Sequence, residues 1–231
     1  PVGQYAHSDG TGPLVGPSTR VDAEAHLGFV VGVPTSLGRS VPVGGFVEHV
    51  FGVVLMADFN ARDFQAWEGL PLGSLAGSSF AAPVSPWVLP TDALGAARFR
   101  GREQSPPPMP HLARPADWGL RIRVEIALNG EVVSRPPYGA MYWTPDQLLA
   151  HLTGNGAALR TGDLYTSGAV SGGERGQRGS LLELEEAGEA PLRLSDGSAR
   201  SFLRDGDTVR IGAWAPGMGG GAIRLGEVEA T

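Results

Sequence analysis

The stretch LMADFNARDFQAWEGLPLG, residues 55–73, sets Asp58, Arg62 and Gln65 at positions i, i+4 and i+7. Read as a helix, it gathers a carboxylate, a guanidinium and an amide into one narrow arc and puts Ala61, Phe64 and Trp67 on the far side. Two readings fit such a stripe. A solvated helix face is the commoner one. The wall of a substrate pocket is the sharper one. The surrounding chain decides between them.

The 231 residues suit one large domain, so a single domain over residues 1–231 is expected. Hydrophobic residues make up 42% and charged residues 18%, the balance of a globular protein. No apolar run reaches membrane-span length and no signal-peptide pattern opens the chain, so a cytoplasmic protein with no membrane partner is expected. A net charge of −6 without a basic stripe argues against a nucleic-acid partner. Cysteine is absent, which excludes disulfides, thiolate nucleophiles and Cys-based metal sites. All 18 basic residues are Arg, so Schiff-base chemistry and an ammonium acting on an oxyanion are excluded too. The 35 Gly and 19 Pro indicate many turns and a β-rich fold.

The elements that must position the stripe follow from periodicity. Residues 1–20 are turn-rich and read as loop with one short strand at most. AEAHLGFVVGV (23–33) alternates and then runs apolar, as a strand entering a core does, and EHVFGVVLMADF (48–59) reads as a second buried strand, or as a helix end followed by a strand. SSFAAPVSPWVLP (78–90) resembles a bent edge strand, and the proline-rich run within 95–118 a surface loop. GLRIRVEIALNGEVVSR (119–135) alternates around an Asn-Gly pair, a hairpin signal. WTPDQLLAHLTG (143–154) predicts a helix capped by Thr144 and stopped by Gly154. GSLLELEEAG (179–188) and DGDTVRIGAWA (205–215) read as further strands. His49, His151, Trp67, Trp87 and Trp143 are expected to be structural, the tryptophans as core, and the Gly-rich GMGGGA (217–222) a turn.

FGVVLMADFNARDFQAWEGLPLG with SPWVLPTDAL, then MYWTPDQLLAHLTGNG, LRTGDLYTSGAVSG and GSLLELE with DGDTVRIG, occur in an order that resembles the fumarylacetoacetate hydrolase superfamily over nearly the whole chain. The likeness is greater to its fumarylacetoacetase-like branch than to the smaller acylpyruvase members. It implies a β-rich α+β fold, the family's mixed β-sandwich roll with a few short helices. It also implies a homodimer and a divalent cation, Mg²⁺ or Ca²⁺, working on a dioxo-acid or β-dicarbonyl substrate.

Residue by residue, the resemblance implies that Glu24 and Asp58 are metal ligands, together with the position two after Glu24. That position is His26, where the family has a carboxylate. Alternation puts Glu24 and His26 on one strand face, which read alone is only a polar face. An imidazole among oxygen ligands moves preference toward Mn²⁺, Fe²⁺ or Zn²⁺. Arg62 and Gln65 match residues that bind substrate oxygens, which makes the stripe a pocket wall. Glu183 matches the carboxylate that orients the family's general-base His. That His and a fourth acidic ligand fall ahead of Pro1 in the family pattern; His7 does not match and reads as a loop histidine.

The departures bear on chemistry. Ser78 stands where the family has a pocket lysine, Ala169 and Ala82 where it has threonines, and Gly69 where it has a tyrosine. Each lost donor to a developing oxyanion removes about 2.7–4 kcal/mol of transition-state stabilisation. The expectation is therefore a divergent enzyme. Glu183, Arg62 and Gln65 would be its catalytic groups, and Arg62, Gln65, Ser78, Ala169 and Gly69 its substrate contacts. Its reaction would be metal-assisted C–C hydrolysis, or a derived decarboxylation, tautomerisation, hydratation or cyclisation in secondary metabolism. A non-catalytic binding protein is the remaining alternative.

Overall fold

In the computed structural model of this chain, which describes residues 1–6, 9, 12–71, 73, 75–114, 118–185 and 190–231, the opening segment holds two strands rather than one. Val2–Ala6 (β1) and Pro13–Pro17 (β2) pair as an antiparallel ribbon. The alternating stretch after Arg20 becomes Val21–Val31 (β3), and the apolar run after the one-turn helix Phe46–His49 (α1) becomes Val50–Ala61 (β4). These two strands pair in antiparallel register from Val21↔Ala61 to Val31↔Val50. Helix α2, Arg62–Glu68, starts where β4 ends.

Downstream come three two-residue strands, Leu89–Pro90 (β5), Arg98–Phe99 (β6) and Gly119–Leu120 (β7), and the hairpin Arg123–Leu128 (β8) and Glu131–Ser134 (β9). Its turn is Asn129–Gly130, with φ of 52° and 83°, the left-handed pair that the Asn-Gly signal demands. Helix α3, Pro145–Thr153, follows its Thr144 cap, whose N–H donates to Gln147 Oε1 at 3.2 Å. Then come Leu164–Thr166 (β10), helix Leu181–Leu184 (α4), Leu192–Arg193 (β11), Ala199–Arg200 (β12), Val209–Pro216 (β13) and Ala222–Ala230 (β14).

Two four-stranded sheets, ordered β10-β3-β4-β5 and β14-β13-β8-β9, share one core. Ala23, Ala25, Leu27 and Phe29 on β3, and Val53, Leu55 and Ala57 on β4, join it with Val124, Ile126 and Leu128 on β8 and Ile211 and Ala213 on β13. Phe29 anchors an aromatic cluster, with ring centroids 6.0 Å from Phe46, 5.1 Å from Tyr165 and 6.4 Å from Tyr138. This is a β-rich α+β fold with a few short helices. No helix among the described residues is long and apolar enough to cross a membrane.

Three sequence expectations need correction. Asp58 lies on β4, as the strand reading of 48–59 has it, and not on one helix with Arg62, because the β-branched and apolar run Val50–Leu55 carries the strand on to Ala61. The SLLELE segment forms α4 and not a strand: Ser180 Oγ accepts the Glu183 N–H at 3.2 Å, so a Ser-x-x-Glu N-terminal cap starts a helix there. Trp67, Trp87 and Trp143 are not core residues but are 42%, 72% and 40% exposed. Among the described residues the buried aromatic side chains are Phe29, Phe46, Phe64, Tyr138 and Tyr165 instead.

Candidate active site

Strand β3 shows Asp22, Glu24 and His26 at every second position, on the face opposite its core residues Ala23, Ala25 and Leu27. Directly across on β4 stand Asn60, Asp58 and Met56. Glu24 and Asp58 are therefore cross-strand neighbours, and His26 lies one pleat further along. Among the described residues, Glu24, His26 and Asp58 bring one donor atom each to within 4.8 Å of one another. His26 Nε2 lies 2.8 Å from Glu24 Oε2, while its Nδ1 is buried with no hydrogen-bond partner among the described residues.

Arg62 closes the cluster. It is the first residue of α2, and its backbone N–H donates to the Arg20 carbonyl at 2.9 Å, which fixes the helix start against β3. Asp63 accepts from Ser18 Oγ at 2.6 Å and from the Thr19 N–H at 2.9 Å and adds a second tie. From this root the Arg62 guanidinium donates from Nε and Nη2 to Asp22 Oδ2 at 2.9 and 2.6 Å, from Nη2 to Glu24 Oε1 at 2.5 Å, and from Nη1 to Gln65 Oε1 at 2.8 Å. The i, i+3 spacing of Arg62 and Gln65 on one helical turn makes the last contact.

Burial and these partners set the charges. Burial alone pushes the Glu24 carboxyl up, but the hydrogen bonds from His26 and Arg62 outweigh it and hold it below its ordinary value. Asp58 has no such bonds and burial raises it, with the Glu24 charge adding to the rise. Asp22 is also raised by its complete burial, a cost that the contact with Arg62 offsets only in part. Burial disfavours the Arg62 cation, yet the Asp22 and Glu24 charges prevail and hold its pKa above the usual arginine value.

The other predicted residues fall around this cluster at differing distances. Glu183, on α4, turns Oε2 toward Ser171 Oγ at 2.6 Å, the Gly179 N–H at 3.1 Å and Ser180 Oγ at 3.2 Å. Its segment borders β3, for Ala25 N–H donates to the Gly179 carbonyl at 2.9 Å and Glu24 bridges Ser180. Ala169 is half-buried in the neighbouring loop, whose next residue, Val170, donates its N–H to Ala25 O at 2.9 Å. Ser78 Oγ donates to Asn60 Oδ1 at 2.6 Å. Gly69 is exposed at the C-cap of α2, one turn beyond Gln65. His7 lies outside the described residues. His49 has a structural role, with Nδ1 2.9 Å from the Val33 carbonyl.

Sequence reasoning passed over Asp22. Its Oδ1 accepts the N–H groups of Ala23 at 2.8 Å and Leu181 at 2.9 Å while Oδ2 takes Arg62, so this fully buried carboxylate joins β3, α2 and α4. The signal was present as the alternation Asp22-x-Glu24-x-His26.

With the geometry in view, the likeness to known proteins has a physical reference. The family model described as fumarylacetoacetate (FAA) hydrolase C-terminal matches residues 4–231. The chain is 40% identical over 225 residues to fumarylacetoacetase of Homo sapiens, covering 95% of this chain and 54% of that protein. It is 41% identical over 218 residues to fumarylacetoacetase of Caenorhabditis elegans, covering 91% and 52%. It thus spans about half the length of these curated relatives. Among solved structures, a fumarylacetoacetate hydrolase from Exiguobacterium antarcticum superposes with a TM-score of 0.56 at 20% identity, over 90% of this chain and 56% of that one. Fumarylpyruvate hydrolase from Pseudomonas aeruginosa, in complex with Mn²⁺ and pyruvate, gives 0.54 at 17% identity, over 90% and 65%. At these identities the structural likeness speaks for the fold.

Proposed function

The chain belongs to the fumarylacetoacetate hydrolase family, and from that membership we propose a metal-assisted enzyme that acts on a small dioxo acid or β-dicarbonyl compound and cleaves a carbon–carbon bond by hydrolysis. The observation that carries the reading is Glu24 directly opposite Asp58 with His26 beside them. Like charges facing across a strand pair destabilise a sheet, and a bound cation removes that cost. The donor set fits such a cation: two carboxylates and an imidazole converge, and His26 Nδ1 is buried without a partner among the described residues. One imidazole among oxygens favours Mn²⁺, Fe²⁺ or Zn²⁺ over Mg²⁺ or Ca²⁺. The fumarylpyruvate hydrolase in complex with Mn²⁺ makes that ion the natural one to test.

Glu24, His26 and Asp58 would hold the metal, which when bound supplies a Lewis acid for a carbonyl oxygen. Arg62 keeps one Nη1 hydrogen outside its contacts with Asp22, Glu24 and Gln65, and the Gln65 amide nitrogen points away from the bond its oxygen accepts. These two donors would bind a substrate carboxylate or carbonyl oxygen and orient it against the cluster. Glu183 has its Oε2 engaged by Ser171, Ser180 and Gly179, and its Oε1 would orient a base or a water. Hydrolysis places the water hydroxyl on the acyl carbon and its proton on the departing carbon. A second reading, decarboxylation or tautomerisation, has one observation in its favour. Ser78 is neutral and donates to Asn60, where the family pattern has a cation. Such reactions need a stabilised enolate but no activated water.

The test incubates purified chain with fumarylacetoacetate or a simple acylpyruvate and Mn²⁺, follows loss of the enol absorbance, and identifies products by mass. Metal-dependent consumption that disappears in Asp58→Ala is expected. Two smaller acids as products support hydrolysis, and CO₂ release or isomerisation supports the second reading. A chain that binds no metal and consumes none of these compounds overturns both. Family membership also supports a homodimer, and two-fold dimers are the commonest closed assembly; light scattering showing a monomer at micromolar concentration would overturn that.

A further inference from the structure

We infer that Asp22 is the positioning residue of the metal site: it neutralises Arg62, so that Glu24 keeps its charge for a cation, and it ties that guanidinium to the helix carrying Glu183. The inference rests on the metal reading above and adds a residue outside the ligand trio.

The geometry separates Asp22 from the ligand trio. Asp22 is wholly inaccessible, and all its acceptor capacity faces Arg62, Ala23 and Leu181. Two guanidinium nitrogens reach its Oδ2, whereas only one reaches Glu24. Arg62 cannot lose its proton, so without Asp22 its full charge would fall on Glu24, its one remaining carboxylate partner among the described residues. A Glu24 held that way would compete poorly for a divalent cation. Through Oδ1 the same carboxylate fixes the Leu181 N–H at the first turn of α4, two residues before Glu183. One buried side chain therefore sets both the charge balance at Glu24 and the register between α2 and α4.

The experiment is a titration of metal-free protein with MnCl₂ alone, reading free aqueous Mn²⁺ by electron paramagnetic resonance, in wild type, Asp22→Asn, and Asp22→Asn/Arg62→Gln. The asparagine retains one oxygen for the Leu181 and Ala23 N–H groups, while its amide nitrogen takes the place of Oδ2, so the charge and the acceptor for Arg62 are lost together. Mn²⁺ affinity of Asp22→Asn is expected to fall on the order of 10–100-fold, the range seen when an outer-shell partner of a metal ligand is lost. The double variant, with no guanidinium to draw on Glu24, is expected to recover to within about twofold of wild type. A residue with a merely structural role would not be rescued in this way. Where Asp22→Asn alone does not fold, the double variant decides: recovered affinity supports the inference and lost affinity in a folded protein overturns it. Wild-type affinity in folded Asp22→Asn overturns the inference alone. A wild type that binds no Mn²⁺ overturns the metal reading and the inference with it.

Discussion

Glu24 on β3 and Asp58 on β4 occupy directly opposed positions of an antiparallel pair, where side chains lie within about 4.5–5.5 Å at Cβ. Glu24 has Arg62 and His26 as partners, while Asp58 is raised by burial and has neither as a hydrogen-bonded neighbour. Within this pair Asp58 is the carboxylate without a hydrogen-bonded cation, unlike the buried Asp207, which Arg200 holds.

That imbalance predicts metal-dependent stability. With Mn²⁺ at one hundred times its dissociation constant, the folded state should gain about 2.7 kcal/mol, read as a rise in Tm. Asp58→Asn should abolish the metal-induced rise and leave the metal-free protein as stable as wild type or more so. A metal-free Asp58→Asn that unfolds well below wild type would show that the aspartate is structural.

Metal preference should follow His26. Replacing it with Glu restores an all-oxygen set, so Ca²⁺ and Mg²⁺ affinity should rise relative to Zn²⁺. A calorimetric titration with each ion, on wild type and His26→Glu, measures the ratio. An unchanged ratio would remove His26 from the ligand set.

Proton competition at the site has a defined sign. Metal binding needs both carboxylates ionised. Asp58 lies above the ordinary aspartate value because burial penalises its charge, and Glu24 lies below its own because His26 and Arg62 hold its charged form against the opposing effect of burial. Of the two carboxylates, Asp58 should therefore be the first to cost Mn²⁺ affinity as pH falls, with Glu24 still ionised. In the metal-free chain the sign reverses: the Asp58 contribution to stability is present below its unfolded pKa and is lost as pH rises through the folded one. A pH series of Mn²⁺ titrations in which Asp58→Asn retains the wild-type profile would contradict the assignment.

Acid stability should depend on a different carboxylate. Asp207 accepts from Arg200 Nε at 2.8 Å and Nη2 at 3.0 Å, from Asn129 Nδ2 at 2.8 Å and from the Arg204 N–H at 2.9 Å, and Arg200 above all holds its pKa at about 2. A depressed folded pKa gives stability that is present above the unfolded value and lost as pH falls toward 2. Asp207→Asn should cost about 2 kcal/mol at neutral pH, with the gap to wild type closing below about pH 4. A gap undiminished at pH 2.5 would mean that packing, and not charge, is lost.

Much of this arrangement was legible in the sequence, and the gaps have physical causes. Glu24 and His26 could be placed on one face because a strand has a period of two, and the Asn129–Gly130 turn because only left-handed backbone closes so short a hairpin. Asp58, Arg62 and Gln65 share helical spacing in the sequence, but in the fold Asp58 stands on β4 and the other two on α2. Their closeness comes from a strand running straight into a helix, a boundary that helical spacing conceals. Asp22 stayed out of sight because a buried carboxylate is recognised by its partners, and Arg62 lies 40 positions away. The exposure of Trp87 and Trp143 follows from tertiary packing that composition does not encode.

The last prediction concerns position 78. Ser78 Oγ donates to Asn60 Oδ1 at 2.6 Å, and Asn60 faces Asp22 across the strands and sits two residues from Asp58. The position is thus at the rim of the cluster, where the family pattern has lysine and this chain, with no lysine anywhere, has a neutral hydroxyl. Arg62 does not replace that cation, since Asp22 and Glu24 already compensate it. An oxyanion formed from a β-dicarbonyl would lack one charged donor, a deficit of about 10²–10³ in kcat. Turnover of acylpyruvates by the wild type should therefore fall far below the roughly 10 s⁻¹ typical of enzymes. Ser78→Lys should raise kcat with little change in KM, because the added charge acts mainly where negative charge develops in the transition state. Steady-state kinetics with Mn²⁺ present measure both parameters. A wild type already turning over near 10 s⁻¹, or a folded Ser78→Lys with unchanged kcat, would show that position 78 does not limit the reaction.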